Sequence, residues 1–164
     1  RDHRGPGDLH SPTLADRVRH VAPIRQAMVD DHLKDHHAHV IWIDADIISY
    51  PANLALQLTT FHKDHVVAPL VLMEDSSRLW DTAGFVEDGS WSRPFPPYFK
   101  QTSPIVTLES VGACYAVPAE VYRQGGKHVA SKDFTEHLSV CQKAISLGYP
   151  VICDTRSIVY HVKP

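Results

Sequence analysis

The chain has 164 residues and a formal net charge of -3, from 16 Lys and Arg against 19 Asp and Glu. This length favours one domain with a single core, and the charge leaves no basic excess for binding nucleic acid or an anionic membrane. The three cysteines are widely spaced and form no CxxC pair, which argues against a disulfide framework or a zinc knuckle and favours reduced thiols in a cytoplasmic protein. Since no apolar run approaches roughly 20 residues, we expect no transmembrane segment.

The first part of the chain predicts an irregular lead-in followed by a helix. Residues 1–13 are polar and rich in Gly and Pro, and residues 14–164 are expected to form the single domain. From Leu14 to Leu33 the apolar residues recur at helical spacing. Pro23 is expected to bend or interrupt this helix, because proline lacks the amide donor that a helix needs.

The next segment predicts a buried strand that opens into an acidic loop. Residues 39–48 read HVIWIDADII, a short apolar run with acids near its end, which is typical of a buried parallel strand. The acids would then lie at the carboxyl edge of the sheet, where open α/β sheets bind ligands. A helix from Pro51 to Phe61 and a strand from Val66 to Val71 are expected to follow.

The second half of the chain predicts a long loop and then further alternating elements. Residues 74–104 combine aromatic residues with several prolines and show no sustained periodicity. The alternation that follows predicts the α/β class. The expected elements are a strand over 110–117, a short helix from Pro118 that ends at Gly125 and Gly126, a helix over 135–147, a strand from Val151 and a β-rich run over 158–162.

Asp44 and Asp46 are acids at alternate positions directly after the apolar strand. Mg²⁺ and Mn²⁺ prefer oxygen ligands and are commonly held by one or two carboxylates together with substrate phosphates. A cation held in this way neutralises charge that builds up on a leaving diphosphate. Paired acids are also common in exposed turns, and that alternative remains open. The apolar strand in front of them favours a metal site.

Five short motifs follow one another between residues 19 and 161. They are Ala22-Pro23-Ile24-Arg25, residues 42–47 (WIDADI), residues 110–113 (SVGA), Glu136 ahead of Leu147-Gly148-Tyr149, and Val159-Tyr160-His161. In order and spacing they resemble the metal-dependent GT-A glycosyltransferases, in the branch that includes the fungal Golgi alpha-mannosyltransferase subunits. The resemblance implies a mostly parallel sheet flanked by helices. It also implies Mn²⁺- or Mg²⁺-dependent transfer of a sugar from GDP-mannose or a UDP-sugar to a glycan or other hydroxyl acceptor.

The same resemblance implies roles on the donor side. Asp46 corresponds to a direct metal ligand, His161 to the third ligand, and Asp44 with Ala45 to donor-binding residues that contact ribose or a metal-bound water. His161 also suits this role by its chemistry, because imidazole is a common ligand, although a hydrogen-bonded edge histidine is the alternative. Arg25 would hold the nucleotide or orient the acidic loop, unless it is a plain surface arginine.

On the acceptor side, Glu136 is the candidate catalytic base at the start of a helix, where the local field favours a carboxylate. Many inverting relatives carry an acidic pair here, whereas this chain has His137 as the second residue. Asp133 is therefore an alternative base, and an ordinary helix acid is an alternative reading of Glu136. Gly112 would let the acceptor approach the backbone. The alternative for Gly112 is an ordinary strand glycine. We also assign Trp80 and Trp91 to stacking on an acceptor sugar, and the alternative is that these tryptophans only cover the core.

Two further classes of function remain open. One is a GT-A-like subunit without turnover that binds sugars or nucleotides, in a homo- or hetero-oligomer such as the fungal relatives form. The other is a metal-dependent hydrolase that uses the histidines at 32, 36, 37 and 39, although these lack an HExxH acid. In GT-A enzymes the base and ribose contacts come from a first strand upstream of the helix. Either that nucleotide-binding strand is lacking here, or the contacts are made differently.

Overall fold

The computed structural model describes residues 12–75, 79–80, 104–129 and 135–162. This part of the chain forms an open six-stranded sheet flanked by helices, which confirms the α/β class. None of its helices combines the length and apolar character needed to cross a bilayer. In chain order the elements are α1 (Pro12–His32), β1 (His39–Ile43), β2 (Ile47–Ser49), α2 (Leu54–Thr60), β3 (Val66–Met73), β4 (Ile105–Leu108), β5 (Cys114–Pro118), α3 (Ala119–Arg123), α4 (Glu136–Ser146) and β6 (Val151–His161).

Helix α1 runs through Pro23, so the proline does not interrupt it, and the alternative that it bends the helix stays a prediction. The proline removes the bond to the carbonyl of Arg19, one turn earlier. Both residues are exposed, so water can hydrogen-bond to that carbonyl. The helix buries the opposite face, which carries Val18, Ala22, Arg25 and Val29 at spacings of three and four residues.

The sheet is mixed, which corrects the expectation of a mostly parallel one. Its order is β1-β5-β3-β6-β2, and β4 also pairs with β6. Among the described strands only β3 and β6 run parallel, because β5 lies antiparallel to both β1 and β3, and β2 and β4 lie antiparallel to β6. A continuous apolar run indicates burial on both faces of a strand and carries no information about its direction.

Strand β6 is continuous over 11 residues and pairs with β2, β3 and β4, although the sequence predicts two separate β segments here. Its pairing with β3 shifts register between Asp154 and Ile158, which marks a bulge. Arg156 donates to both carboxylate oxygens of Asp154 at 2.9 and 2.7 Å. His62 Nε2 lies 3.1 Å from Asp154 Oδ2. Although burial raises the pKa of Asp154, these hydrogen bonds lower it to about 2. The polar residues of the bulge therefore interrupt the apolar pattern without ending the strand.

The other differences from the sequence prediction concern short elements. The strand predicted over 110–117 begins only at Cys114, and β4 lies just after the predicted long loop. Strands β3 and β5 each contribute four fully buried apolar residues to the core. All three cysteines are buried, and burial raises the pKa of Cys141 to about 12.

Candidate functional site

The acidic motif forms a tight turn between β1 and β2. The amide of Ile47 donates to the carbonyl of Asp44 at 3.0 Å, which closes the turn. On one side the amide of Asp44 donates to the carbonyl of Ala113 at 2.8 Å, and on the other the amide of Val162 donates to the carbonyl of Asp46 at 2.9 Å. The turn is thus attached to the start of β5 and to the end of β6, and Ala45 is exposed at its tip.

Asp46 faces His161, as the sequence prediction requires of two metal ligands. His161 Nε2 lies 2.9 Å from Asp46 Oδ2, and His161 Nδ1 donates to the carbonyl of Val162 at 2.7 Å. With its hydrogen on Nδ1, a neutral imidazole would direct the Nε2 lone pair at a carboxylate oxygen. The contact is therefore favourable when a proton or a metal cation lies between the two groups.

The chemistry of this pair fits a divalent cation. Asp46 Oδ1 is buried and has no hydrogen-bond partner among the described residues, which leaves an oxygen donor beside the imidazole nitrogen. In the described ranges no three His, Cys, Asp or Glu side chains come close enough together to hold a metal ion. Cations that act on nucleotide substrates commonly use one or two protein ligands and complete their coordination with phosphate and water. Asp46 and His161 supply such a set.

Arg25 connects the acidic turn to helix α4. Its Nη2 donates to Asp44 Oδ1 at 2.5 Å, its Nε lies 3.4 Å from Glu136 Oε1, and its guanidinium lies 5.1 Å from the centre of the Trp42 ring. The residue is only 6% exposed, so it is not a plain surface arginine. Burial lowers the pKa of Arg25, but the surrounding Tyr115, Asp44 and Glu136 together raise it above its usual value. A permanently charged guanidinium thus joins two acids that the sequence assigned to the donor and acceptor sides.

Glu136 lies in a buried polar cluster at the start of α4. It is 5% exposed, and its Oε1 lies 3.4 Å from His137 Nε2 as well as from Arg25. His137 Nδ1 is 3.0 Å from the hydroxyl of Tyr115. Burial raises the pKa of Tyr115 well above its usual value, so the phenol keeps its proton and can donate it to Nδ1. The imidazole hydrogen then lies on Nε2 and points at Glu136.

A second buried network joins β1, α3 and the segment after α3, and no sequence pattern indicated it. The indole of Trp42 donates to the hydroxyl of Tyr122 at 2.8 Å, and that hydroxyl lies 3.1 Å from His128 Nε2. Burial lowers the pKa of His128 to about 4, and the positive charge of Arg25 adds to the effect. A neutral His128 accepts a hydrogen bond from the hydroxyl of Tyr122 at Nε2. Tyr122 and His128 carry no motif, and only their packing identifies them.

The backbone next to the turn is strained at Ala113. This residue has φ of 49°, in the left-handed region that non-glycine residues rarely adopt, and its carbonyl accepts the amide of Asp44. The amide of Cys114 donates to the carbonyl of Gly112 at 2.5 Å. Strain of this kind is frequently found at functional sites. Gly112 is thus close to the acidic turn, and its contact with an acceptor stays a prediction.

The aromatic and acidic candidates of the second half are only partly described. Trp80 stacks on His161, with ring centres 3.7 Å apart and planes at 19°. It therefore lies beside the predicted cation site, and its contact with an acceptor sugar stays a prediction. Trp91 and Asp133 lie outside the described residues.

The histidine-rich segment after α1 has structural contacts of its own. His37 Nδ1 accepts the amide of Lys34 at 3.2 Å, and the imidazole of His39 pairs with the carbonyl of Lys63 at 3.0 Å. Arg123 donates to three carbonyls of the same segment. These contacts attach the segment to the end of α3 and to the residues after α2, and the hydrolase alternative gains no support.

Comparison with protein-family models and with curated proteins yields no match for this chain. The arguments for its function therefore come from the motifs and from the geometry just described.

Proposed function

We propose that this chain is a metal-dependent glycosyltransferase domain of the GT-A type. It would move a sugar from a nucleotide-diphosphate sugar, GDP-mannose or a UDP-sugar, to a glycan or other hydroxyl acceptor. The observation that carries the proposal is the acidic turn, in which Asp46 faces His161 while Asp44 is joined through Arg25 to Glu136. Candidate donor-side and acceptor-side groups thus converge at one end of the sheet.

On the donor side, Asp46 and His161 are the residues that would hold Mn²⁺ or Mg²⁺. When bound, the cation would neutralise the charge that develops on the leaving diphosphate. Arg25 fixes the carboxylate of Asp44. We assign this acid to orienting the turn and to contacting the donor ribose or a metal-bound water. The exposed methyl side chain of Ala45 leaves room for the donor to approach the turn.

On the acceptor side, Glu136 is the residue we assign to orienting the acceptor hydroxyl or receiving its proton. Arg25 and His137 both face Oε1, so the carboxylate has a defined orientation. Preorganisation of this kind lowers the reorganisation that a transfer step requires.

A second candidate function is a sugar- or nucleotide-binding subunit without turnover. The ion pair of Glu136 with Arg25 and the low exposure of Glu136 favour this candidate, because the cation stabilises the charged carboxylate and burial limits the approach of an acceptor. The two candidates share the donor site and differ in whether the acceptor reacts. An oligomeric assembly stays a prediction under either one.

The donor site can be tested by titrating Mn²⁺, with GDP or UDP present, into the wild type, Asp46→Ala and Asp44→Ala by calorimetry. We expect Asp46→Ala to weaken metal-dependent nucleotide binding by about 100-fold or more, because it removes a ligand, and Asp44→Ala to weaken it less. Asp30→Ala, which removes an exposed acid of α1, is the matched control. Unchanged Mn²⁺-dependent binding in Asp46→Ala would refute the donor-site assignment. A hydrolysis assay with the same nucleotide sugars then separates an enzyme from a binding subunit.

A further inference from the structure

We infer that Trp80 is a positioning residue of the cation site, which holds the imidazole of His161 so that Nε2 faces Asp46. The inference rests on the proposed function, because it concerns the same site. It differs from the sequence expectation, in which the indole stacks on an acceptor sugar.

The backbone places Trp80 firmly beside the end of β6. After β3 the chain turns back, and Leu79 forms an antiparallel bridge with Leu72. The amide of Trp80 then donates to the carbonyl of Val71 at 2.9 Å. Since the end of β3 pairs in parallel with the end of β6, Met73 lies opposite His161. The indole thus comes from a segment bonded to the neighbouring strand.

The stack restrains the face of the imidazole, and a hydrogen bond restrains its edge. The two rings are nearly parallel at 3.7 Å between centres, so the indole covers one face of His161. In the ring plane, Nδ1 donates to the carbonyl of Val162 at 2.7 Å. A flip of the ring would break this bond and place the carbon Cε1 where Nε2 now faces Asp46. Together the two contacts leave Nε2 as the only ring nitrogen directed at Asp46 Oδ2.

A restraint of this kind has a measurable value for metal binding. Groups that orient a metal-binding histidine typically change metal affinity by about 10- to 100-fold. The restraint here is the flat face of a ring, so phenylalanine at the same position should retain most of it and alanine should lose it. The indole also provides a signal of its own, because Mn²⁺ quenches the fluorescence of a nearby indole and Mg²⁺ does not.

The test is a titration of wild type, Trp80→Phe and Trp80→Ala with Mn²⁺ alone, followed by calorimetry and by tryptophan fluorescence, with Mg²⁺ as the non-quenching reference. We expect Trp80→Ala to weaken Mn²⁺ binding by about 10-fold and Trp80→Phe to bind within about 2-fold of wild type. Both variants should lose the part of the Mn²⁺-specific quenching that Trp80 contributes, and Trp42 supplies the remaining signal near the turn. Circular dichroism checks that both variants fold. Phe61→Ala, which changes an exposed aromatic residue directly after α2, is the control.

Two results for the Trp80 variants would overturn the inference, and a third result for Asp46→Ala would overturn the cation site as well. One is a Trp80→Ala variant that binds Mn²⁺ as tightly as wild type while Asp46→Ala does not, which leaves the proposed cation site intact. The other is an equal loss of affinity in Trp80→Phe and Trp80→Ala, which shows that the ring face is not the restraint. If wild type and Asp46→Ala bind Mn²⁺ equally, the cation site itself is wrong and the inference falls with it.

Discussion

The protein is expected to lose stability as the pH falls from about 6.5 to about 4, because of the buried imidazole of His128. This side chain is 4% exposed and accepts a hydrogen bond from the hydroxyl of Tyr122. Its ring packs against that of Trp42, with ring centres 5.1 Å apart. Burial lowers its pKa from 6.5 to about 4, and the nearby charge of Arg25 adds to the effect. A proton on His128 is therefore far less favourable in the folded protein than in the unfolded chain.

The sign and size follow from this difference in pKa. Above pH 6.5 the histidine is neutral in both states and makes no pH-dependent contribution. Below that pH the unfolded chain binds a proton that the folded protein does not, so the folded state becomes less stable. The loss is complete once the pH has fallen through the folded pKa of about 4. At about 1.4 kcal/mol for each pKa unit, the full effect is about 3 kcal/mol.

The assay is urea unfolding of wild type and His128→Gln at a series of pH values between about 7 and about 4. Other titrating groups contribute to both proteins, so the difference between the two curves isolates His128. We expect the wild type to lose about 3 kcal/mol relative to the variant across this range. His36→Gln, at an exposed histidine, should track the wild type. Parallel curves for wild type and His128→Gln would refute the reasoning.

Two further predictions concern the acceptor side and the strained backbone. Glu136→Gln should keep Mn²⁺ and nucleotide affinity but lower transfer by about 100-fold, because the change removes only the carboxylate charge. Transfer is measured with the nucleotide sugar that wild type hydrolyses fastest. Glu120→Gln, on a half-exposed acid of α3, is the control, and a Glu136→Gln variant that transfers normally would make Glu136 a bystander. Ala113→Gly should raise the free energy of unfolding by up to about 1 kcal/mol and Ala113→Val should lower it, because glycine adopts φ of 49° without strain. Thermal melts that rank the two variants in the opposite order would contradict the strain.

The sequence predicted the acidic turn well because its signal is local. An apolar run followed at once by Asp44 and Asp46 specifies a strand and the point where it ends. The expectation of a buried parallel strand is wrong, because β1 is an edge strand that pairs antiparallel with β5, and Trp42 is its only buried residue. The contact between Asp46 and His161 was expected on the chemistry of the two groups and from the resemblance. Whether the pair binds a metal ion stays a prediction, as does the glycosyltransferase activity.

The contact of Arg25 with the acidic turn was one of two roles expected for it, but its additional pairing with Glu136 could not be predicted in the same way. Each of the three residues stood out alone, but their contact depends on how α1 and α4 pack against the turn. The direction of β5 was also beyond the sequence, because a fully buried strand has the same apolar pattern in either direction. His128 was overlooked for the simplest reason, since one histidine in an irregular segment has no periodicity.

The burial of the three cysteines gives the protein a chemically silent background for labelling. The thiolate is the form that attacks a thiol reagent. Burial raises the pKa of Cys141 to about 12 and that of Cys153 still further, so both thiols stay protonated. Cys114 is fully buried as well. A cysteine introduced at exposed Ala45 would therefore react first in the folded protein and carry a dye or spin label at the tip of the acidic turn. Slow modification of the native thiols would in turn measure how often the core opens.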